Sequence, residues 1–328
     1  MNFHGKDIKI FTGSSNVDVA QGIAGCLGLP LGKSDCTQFS DGEISVSLHE
    51  SVRGSDCFIV QSTCAPVNDN LMEMLIMIDA MKRASAARIT VVMPYFGYAR
   101  QDRKAKPRQP ITARLVADLL EAAGCNRVVT IDLHAAQIQG FFSFPADDIT
   151  SIPMMAQYFA NKPEINLNKT VIVSPDHGGT TRARRFAERL DCSLAICDKR
   201  RPRPNVCETT NVLGDVNGMD CIIVDDMCDT GGSLIGAAKL LKENGAGNIY
   251  VAIAHGIFSK DALEKIEGSV IKEVVCTNSI PLSEEAKVKT TKVKQLSVGL
   301  MLSKIIYAIS NHTPVSNVYN IFDDHENI

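Results

Sequence analysis

The chain has 328 residues, 45% of them hydrophobic, which is enough for a sizeable core and about two domains. Its 34 basic and 37 acidic residues leave a formal charge of -3, which argues against wholesale binding of nucleic acid or a membrane surface and makes any basic patch local. Eleven scattered cysteines without a CxxC pair, no apolar run behind a basic N-terminus and no bilayer-length apolar stretch give the expectation of a reduced, cytoplasmic protein.

In chain order, strands are expected at Lys9–Thr12 and Phe58–Gln61. A helix follows at Asn70–Ala86, with Leu71, Met74, Leu75, Ile78 and Met81 at helical spacing. A strand at Ile89–Met93 precedes a helix at Thr112–Ala123, which opens after Pro110 and ends at Gly124. Further strands are expected at Val128–Ile131, Val171–Ser174 and Cys221–Val224. A helix at Gly231–Asn244 ends at Gly245, and strands at Tyr250–Ala254 and Val274–Thr277 complete the set. Most strands are Val/Ile-rich on both faces, as buried parallel strands are, so the alternation predicts an α/β fold with parallel sheets.

The halves look alike. Val91–Pro94 and Val171–Pro175 each run from a buried strand through a proline into an Arg-bearing loop. Val129–Asp132 and Ile222–Asp225 each end a strand in an acid. This reads as a degenerate duplication with a seam near Asp147–Ile152, giving domains 1–149 and 150–328. Only the second copy follows its acid with a Thr-Gly-Gly loop.

The sharpest signal is Val224-Asp225-Asp226-Met227-Cys228-Asp229-Thr230-Gly231-Gly232-Ser233. Two carboxylates at a strand end can accept hydrogen bonds from a ribose diol. The glycines free backbone N–H groups for an anion at a helix N-terminus, and Thr230 and Ser233 add hydroxyl donors. A phosphate at one end and vicinal hydroxyls at the other describe a pentose 5-phosphate. The bland alternative is an ordinary helix cap on Asp229 or Thr230. Four further segments carry chemistry. Phe39-Ser40-Asp41-Gly42-Glu43 reads as an acidic surface hairpin. Arg100-Gln101-Asp102-Arg103-Lys104 is a basic loop directly after a buried strand, suited to polyphosphate or simply solvated. Ser174-Pro175-Asp176-His177-Gly178-Gly179-Thr180 is a second Gly-Gly loop ahead of an Arg-rich helix, Arg182 to Arg189. Lys199-Arg200-Arg201-Pro202-Arg203-Pro204 reads as a mobile basic lid or a nucleic-acid segment. His134 follows Asp132-Leu133 at the end of a strand, where a lone His is more often an ordinary hydrogen-bonded residue than a ligand.

Taken together, these segments resemble the class I ribose-phosphate pyrophosphokinases, and the resemblance covers essentially the whole chain. It implies two tandem type I phosphoribosyltransferase-like domains, each a mainly parallel sheet flanked by helices, with the last helix packing back on the first domain. It implies transfer of the β,γ-diphosphate of ATP to ribose 5-phosphate with Mg²⁺. Under it, Phe39, Asp41, Gly42 and Glu43 reach a neighbouring subunit's ATP, and Arg100 and Gln101 contact ATP. His134 and Asp176 place the metal. Asp176, His177, Gly178 and Gly179 form the pyrophosphate loop. Asp225, Asp226, Asp229, Thr230, Gly231, Gly232 and Ser233, with Arg201, hold ribose 5-phosphate, and Lys199 and Arg201 stabilise charge during transfer. It also implies a homohexamer with phosphate and ADP as effectors. Ser51-Val52-Arg53-Gly54 resembles part of the effector site, and Pro314 departs from the family pattern there. An ordinary phosphoribosyltransferase would need no ATP triphosphate segments, and a non-catalytic regulatory subunit would have lost the intact Lys-Arg-Arg-Pro run. A nucleic-acid binder is disfavoured by the charge and by the 5% aromatic content without Trp.

Overall fold

Runs of Val and Ile uninterrupted by polar residues form the central strands of two separate sheets, because a strand covered on both faces must be apolar on both. The computed structural model describes residues 2–3, 6–200 and 209–322. The first sheet draws on β1 (Asn2–Phe3), β2 (Lys6–Thr12), β5 (Asp56–Val60), β6 (Arg88–Met93), β7 (Arg127–Ile131) and β8 (Ala146–Ile149). Between β2 and β5 lies a separate antiparallel hairpin, β3 (Ser34–Gln38) and β4 (Ile44–Leu48). The sheet order is β1-β2-β5-β6-β7-β8, parallel throughout except for β1. Helices α1 (Val17–Leu27), α2 (Val67–Arg83) and α3 (Thr112–Ala123) link the strands. Met74, Met77, Ile78 and Met81 of α2 and Val116 and Leu120 of α3 pack on Ile59, Val91 and Val128 of the sheet.

The second sheet comprises β9 (Thr170–Ser174), β10 (Ser193–Arg200), β11 (Thr209–Leu213), β12 (Asp220–Cys228), β13 (Ile249–Gly256), β14 (Glu273–Thr277) and β15 (Val293–Leu296). Its order is β11-β10-β9-β12-β13-β14-β15, and only the β10–β11 pair is antiparallel. Its helices are α4 (Ile152–Ala160), α5 (Thr180–Leu190), α6 (Gly232–Glu243), α7 (Ala262–Glu267) and α8 (Glu284–Val288). The last helix, α9 (Gly299–Ser310), packs on α1 in the first unit. A Cβ on Gly299 would lie 3.2 Å from the backbone of Gly22, so the two helices meet closely at a pair of glycines. The chain divides into Met1–Thr150, Ser279–Pro281 and Ser297–Ile321 as one unit, and Ser151–Asn278, Leu282–Leu296 and the residues from Phe322 as the other.

All eight expected strands and the three expected helices are present. The α2 helix starts and ends three residues earlier than its apolar spacing implies, since Pro66 is its N-cap and residues 67–69 form a polar first turn. The β12 strand is longer than expected. Asp225 pairs with Ile253 and Met227 with His255, so the two acids lie inside the strand and the loop begins at Asp229.

The strand order also corrects the register of the repeat. The β6 and β7 strands are the third and fourth of their parallel row, whereas β9 and β12 are the second and third of theirs, behind β10. The topology equates β2 with β9, β5 with β12, and the β3–β4 hairpin with β10–β11. A parallel bridge between Ile10 and Leu31, with a 2.7 Å bond from the Gly32 N–H to the Ile10 carbonyl, is the first unit's remnant of the β9–β10 pairing. Buried parallel strands share the same Val/Ile vocabulary, so a string match among them does not define the register.

Candidate active-site loops

In the second unit the chain leaves β9 toward β10 on one side and returns to β12 on the other. This is the switch point at which open α/β sheets bind ligands, beyond the strand carboxyl ends. Three of the predicted segments follow these neighbouring strands: residues 175–179 after β9, Lys199 and its successors at the end of β10, and Asp229–Gly231 after β12. The backbone of Lys199 pairs with Thr210. Arg201 and the rest of the basic segment through residue 208 lie outside the described residues.

The β12–α6 segment has the features of an anion cradle. Gly231 takes φ 76, a left-handed backbone that side chains resist, and is itself the N-cap of α6. The cap position therefore falls on a glycine and not on Asp229 or Thr230 of the bland alternative. Thr230, Gly232 and Ser233 are exposed at this helix start, where backbone N–H groups and the helix dipole favour an anion. Asp226 is buried, and its N–H donates to Asp225 Oδ1 at 2.9 Å. Burial pushes the Asp225 carboxyl up to about 7, the neighbouring Asp226 charge adds to this, and the Arg182 guanidinium counteracts it. Arg182, from the first turn of α5, lies 3.6 Å from Asp225 and 3.8 Å from Asp226.

The 175–179 loop is folded around Asp176. Its Oδ1 accepts the Gly179 N–H at 3.0 Å, and its backbone carbonyl accepts the Ser174 hydroxyl at 2.6 Å. A Cβ on Gly179 would come within 3.0 Å of Ser174 Oγ and 3.8 Å of Asp225 Oδ1, so this loop lies against the paired acids. Among its residues Asp176, His177 and Gly178 are exposed. His177 also makes a structural contact, since its Nε2 meets Asp198 Oδ1 at 2.8 Å. Asp198 is buried and precedes Lys199, so the Gly-Gly loop is tied to the root of the basic segment. Motif reading missed both Arg182 and Asp198: one was only the start of an Arg-rich helix and the other the residue before a Lys-Arg-Arg run.

The first unit brings two other predicted segments side by side. The Arg100–Lys104 loop follows β6, and His134 follows the adjacent β7. Asp102 accepts from Gln137 at 2.7 Å, linking the two loops. The Gln101 side chain accepts from the Thr112 hydroxyl at the head of α3. Arg100 and His134 are exposed. The tip of the β3–β4 hairpin is closed by the Phe39 N–H donating to the Glu43 carbonyl at 2.8 Å, by Gly42 at φ 94, and by the Glu43 N–H donating to Asp41 at 3.1 Å. Phe39 is 59% exposed. Arg53 donates to Ser85 Oγ at 3.1 Å on the surface.

The counterpart of the Gly-Gly loop in the first unit is residues 13–16, and it is already filled. The Ser14 N–H and hydroxyl donate to the two Glu73 oxygens at 2.6 and 2.8 Å. The Ser15 N–H and hydroxyl donate to Gln61 Oε1 at 3.0 and 2.7 Å. A Cβ on Gly13 would sit within 2.5 Å of both Gln61 and Glu73. A cavity of about 500 Å³ opens beside this cluster, lined by Ser14, Gln38, Asp69 and Glu73 among others.

Among the described residues no three His, Cys, Asp or Glu side chains converge as a metal cage. An exposed carboxylate such as Asp176 suits Mg²⁺ differently, because this ion takes one or two protein ligands and completes its shell with water and phosphate oxygens. The buried thiols of Cys57, Cys125, Cys221, Cys228 and Cys276 are pushed up to about 12 by burial, which leaves them inert. No helix among the described residues is long and apolar enough to cross a membrane.

A family model described as the N-terminal domain of ribose phosphate pyrophosphokinase matches residues 8–124, and one described as the phosphoribosyl synthetase-associated domain matches residues 199–320. A ribose-phosphate pyrophosphokinase of Clostridium perfringens is 54% identical over 319 residues, 97% of this chain and 99% of the relative. One from Bacillus subtilis is 51% identical over 315 residues, 96% of this chain and 98% of the relative. The crystal structure of a phosphoribosylpyrophosphate synthetase from Mycobacterium smegmatis superposes with a TM-score of 0.88 at 40% identity, covering 94% of this chain and all of that one.

Proposed function

The chain belongs to the ribose-phosphate pyrophosphokinase family, and from that premise we infer that it transfers the β,γ-diphosphate of MgATP to the C1 hydroxyl of ribose 5-phosphate. The products are AMP and phosphoribosyl pyrophosphate, a precursor for nucleotide synthesis. The observation that carries this reading is the grouping at one sheet edge of a Thr-Gly-Gly-Ser helix start with glycine at the N-cap, two adjacent carboxylates, a Gly-Gly loop and the root of a basic segment.

Each part has a task that its chemistry fits. Thr230, Gly231, Gly232 and Ser233 receive the 5-phosphate through backbone N–H groups and hydroxyls, with Asp229 at the loop's start. Asp225 and Asp226 accept hydrogen bonds from the ribose hydroxyls and so aim the C1 hydroxyl. The exposed backbone around Gly178 would cradle the diphosphate being moved, Gly179, whose N–H is held by Asp176, shapes the loop, and His177 anchors it to Asp198. Lys199 and Arg201 offset charge as it shifts between phosphates, the main demand of phosphoryl transfer. Arg100 and Gln101 hold ATP, and Phe39, Asp41, Gly42 and Glu43 take the adenine of a neighbouring subunit's ATP in a homohexamer. Asp176 and His134 are the residues that would receive Mg²⁺, which would arrive with ATP and supply positive charge to offset that of the phosphates. Arg53 and its neighbours would take phosphate or ADP as effectors, and the protein would work in the cytoplasm. The domain division assigned to these tasks is 1–149 and 150–328.

Incubation with ATP, Mg²⁺, phosphate and ribose 5-phosphate is expected to yield AMP and phosphoribosyl pyrophosphate in equal amounts, and only when the sugar phosphate is present. ADP as the product, or no turnover, would overturn the reading.

A further inference from the structure

We propose that Arg182 is a positioning residue of the reaction, aiming Asp225 and Asp226, favouring their ionised form and fixing the diphosphate loop against them. The proposal deepens the reading of Asp225 and Asp226 as the ribose-binding acids and rests on it.

Three observations converge on Arg182. It belongs to the first turn of α5, the helix that the 175–179 loop opens, so its backbone moves with that loop. Its guanidinium reaches back to the neighbouring strand and lies 3.6 Å from Asp225 Oδ1 and 3.8 Å from Asp226 Oδ1. Its side chain is 19% exposed, so the pair is only weakly screened by solvent. Arg182 thus links the loop assigned to the diphosphate with the acids assigned to the sugar, the two groups that must meet for transfer.

The acids need this cation. Two adjacent carboxylates, one buried and one nearly so, oppose each other's ionisation. The groups facing Asp225 are Asp226 on its own strand and Arg182 from α5. The Cys228 thiol on the same strand is pushed up to about 12 and stays neutral. Only the ionised acids accept two hydroxyl hydrogen bonds without donating, as a ribose diol requires. An uncompensated pair would take a proton, and one acceptor would become a donor. Arginine suits this place because its charge persists at any working pH and its planar fork spans two carboxylates.

The test compares Arg182→Gln, Arg182→Lys and Asp225→Asn in the full-length protein, with kcat/KM for ribose 5-phosphate followed from pH 5.5 to 9. That quotient reports the groups of the enzyme before the sugar binds. For Arg182→Gln a loss of on the order of tenfold or more is expected, with the acidic limb displaced upward by about one pH unit, since removing the cation raises the carboxylate pKa. Arg182→Lys is expected to restore much of the limb's position but less of the rate. An unchanged profile in Arg182→Gln, or a lower rate whose limb does not move, overturns the proposal, because a merely structural arginine would leave the limb in place. If Arg182→Gln does not fold, the Arg182→Lys profile decides, with an intermediate limb expected and a wild-type limb and rate refuting. Asp225→Asn separates the two levels: if it binds ribose 5-phosphate as the wild type does, the assignment of the ribose site fails whatever Arg182 does.

Discussion

At the residue scale, Asp225 shows what a binding group costs its own fold. Its carboxyl is raised from its ordinary value to about 7 by burial and then by Asp226. A raised carboxyl pKa means that ionisation works against the folded state. Relative stability is therefore fullest below the unfolded value near 4 and declines as pH rises through about 7. Asp225→Asn removes the buried charge and is expected to stabilise the protein by about 1–3 kcal/mol at pH 8, with little gain at pH 4. Activity is expected to be lost, the usual exchange at a functional site. Denaturant melts at the two pH values check this, and equal gains at both would show that ionisation is not the cause. The same scale explains what the sequence revealed of the site. The Asp-Asp-x-x-Asp-Thr-Gly-Gly run was legible because it concentrates acids, hydroxyls and glycines within one segment. Arg182 and Asp198 were not, because a single charged residue gains its meaning from a partner on another element.

At the element scale, the central strands could be read because burial on both faces demands Val/Ile runs, as in Val171–Val173, where every residue is buried. Of the two hairpins, the Phe39–Glu43 turn could be read as one, but the flanking strands β3 and β4 and the β10–β11 pair could not. Ser34–Gln38 is mostly polar and largely exposed, so its strand character comes from pairing with β4 and not from its composition. The topology equates these two hairpins, although β3–β4 stands apart from the first sheet, and both carry segments assigned to ATP or to diphosphate transfer. The backbone of Lys199 belongs to the β10–β11 pair, and Asp198 before it is held to His177. In the proposed division of tasks Lys199 serves the transfer, and the loop between β12 and α6 holds the sugar. Lys199→Ala is accordingly expected to lower kcat by about a hundredfold or more, roughly 3 kcal/mol. The dissociation constant for ribose 5-phosphate, measured by calorimetry, is expected to stay within a few-fold of wild type. A large loss of sugar binding would place Lys199 in the cradle and not in the transfer step.

At the scale of the whole molecule, the hairpin tip poses the question of assembly. Phe39 is a large ring left 59% exposed at the end of an acidic turn. The proposal that it serves a neighbouring subunit's ATP makes a specific demand on mixed oligomers. Phe39→Ala and Lys199→Ala chains are each expected to be nearly inactive at low ATP. Co-expressed, they are expected to show more activity than the sum of the two, because some sites then combine an intact hairpin with an intact lid. Strictly additive activity would show that each chain builds its ATP site alone.

The duplication leaves one more consequence, in the loop that Glu73 fills. The two copies of this fold begin with the same device, a strand, a tight turn and a helix. In the second copy the turn is braced from within, by Asp176 on the Gly179 N–H, and its Asp176, His177 and Gly178 stay exposed. In the first, Ser14 and Ser15 donate to Glu73 and Gln61, so side chains from other elements close the turn. One copy has kept an open doorway and the other has bricked it up, and a substrate group is expected to enter only the second.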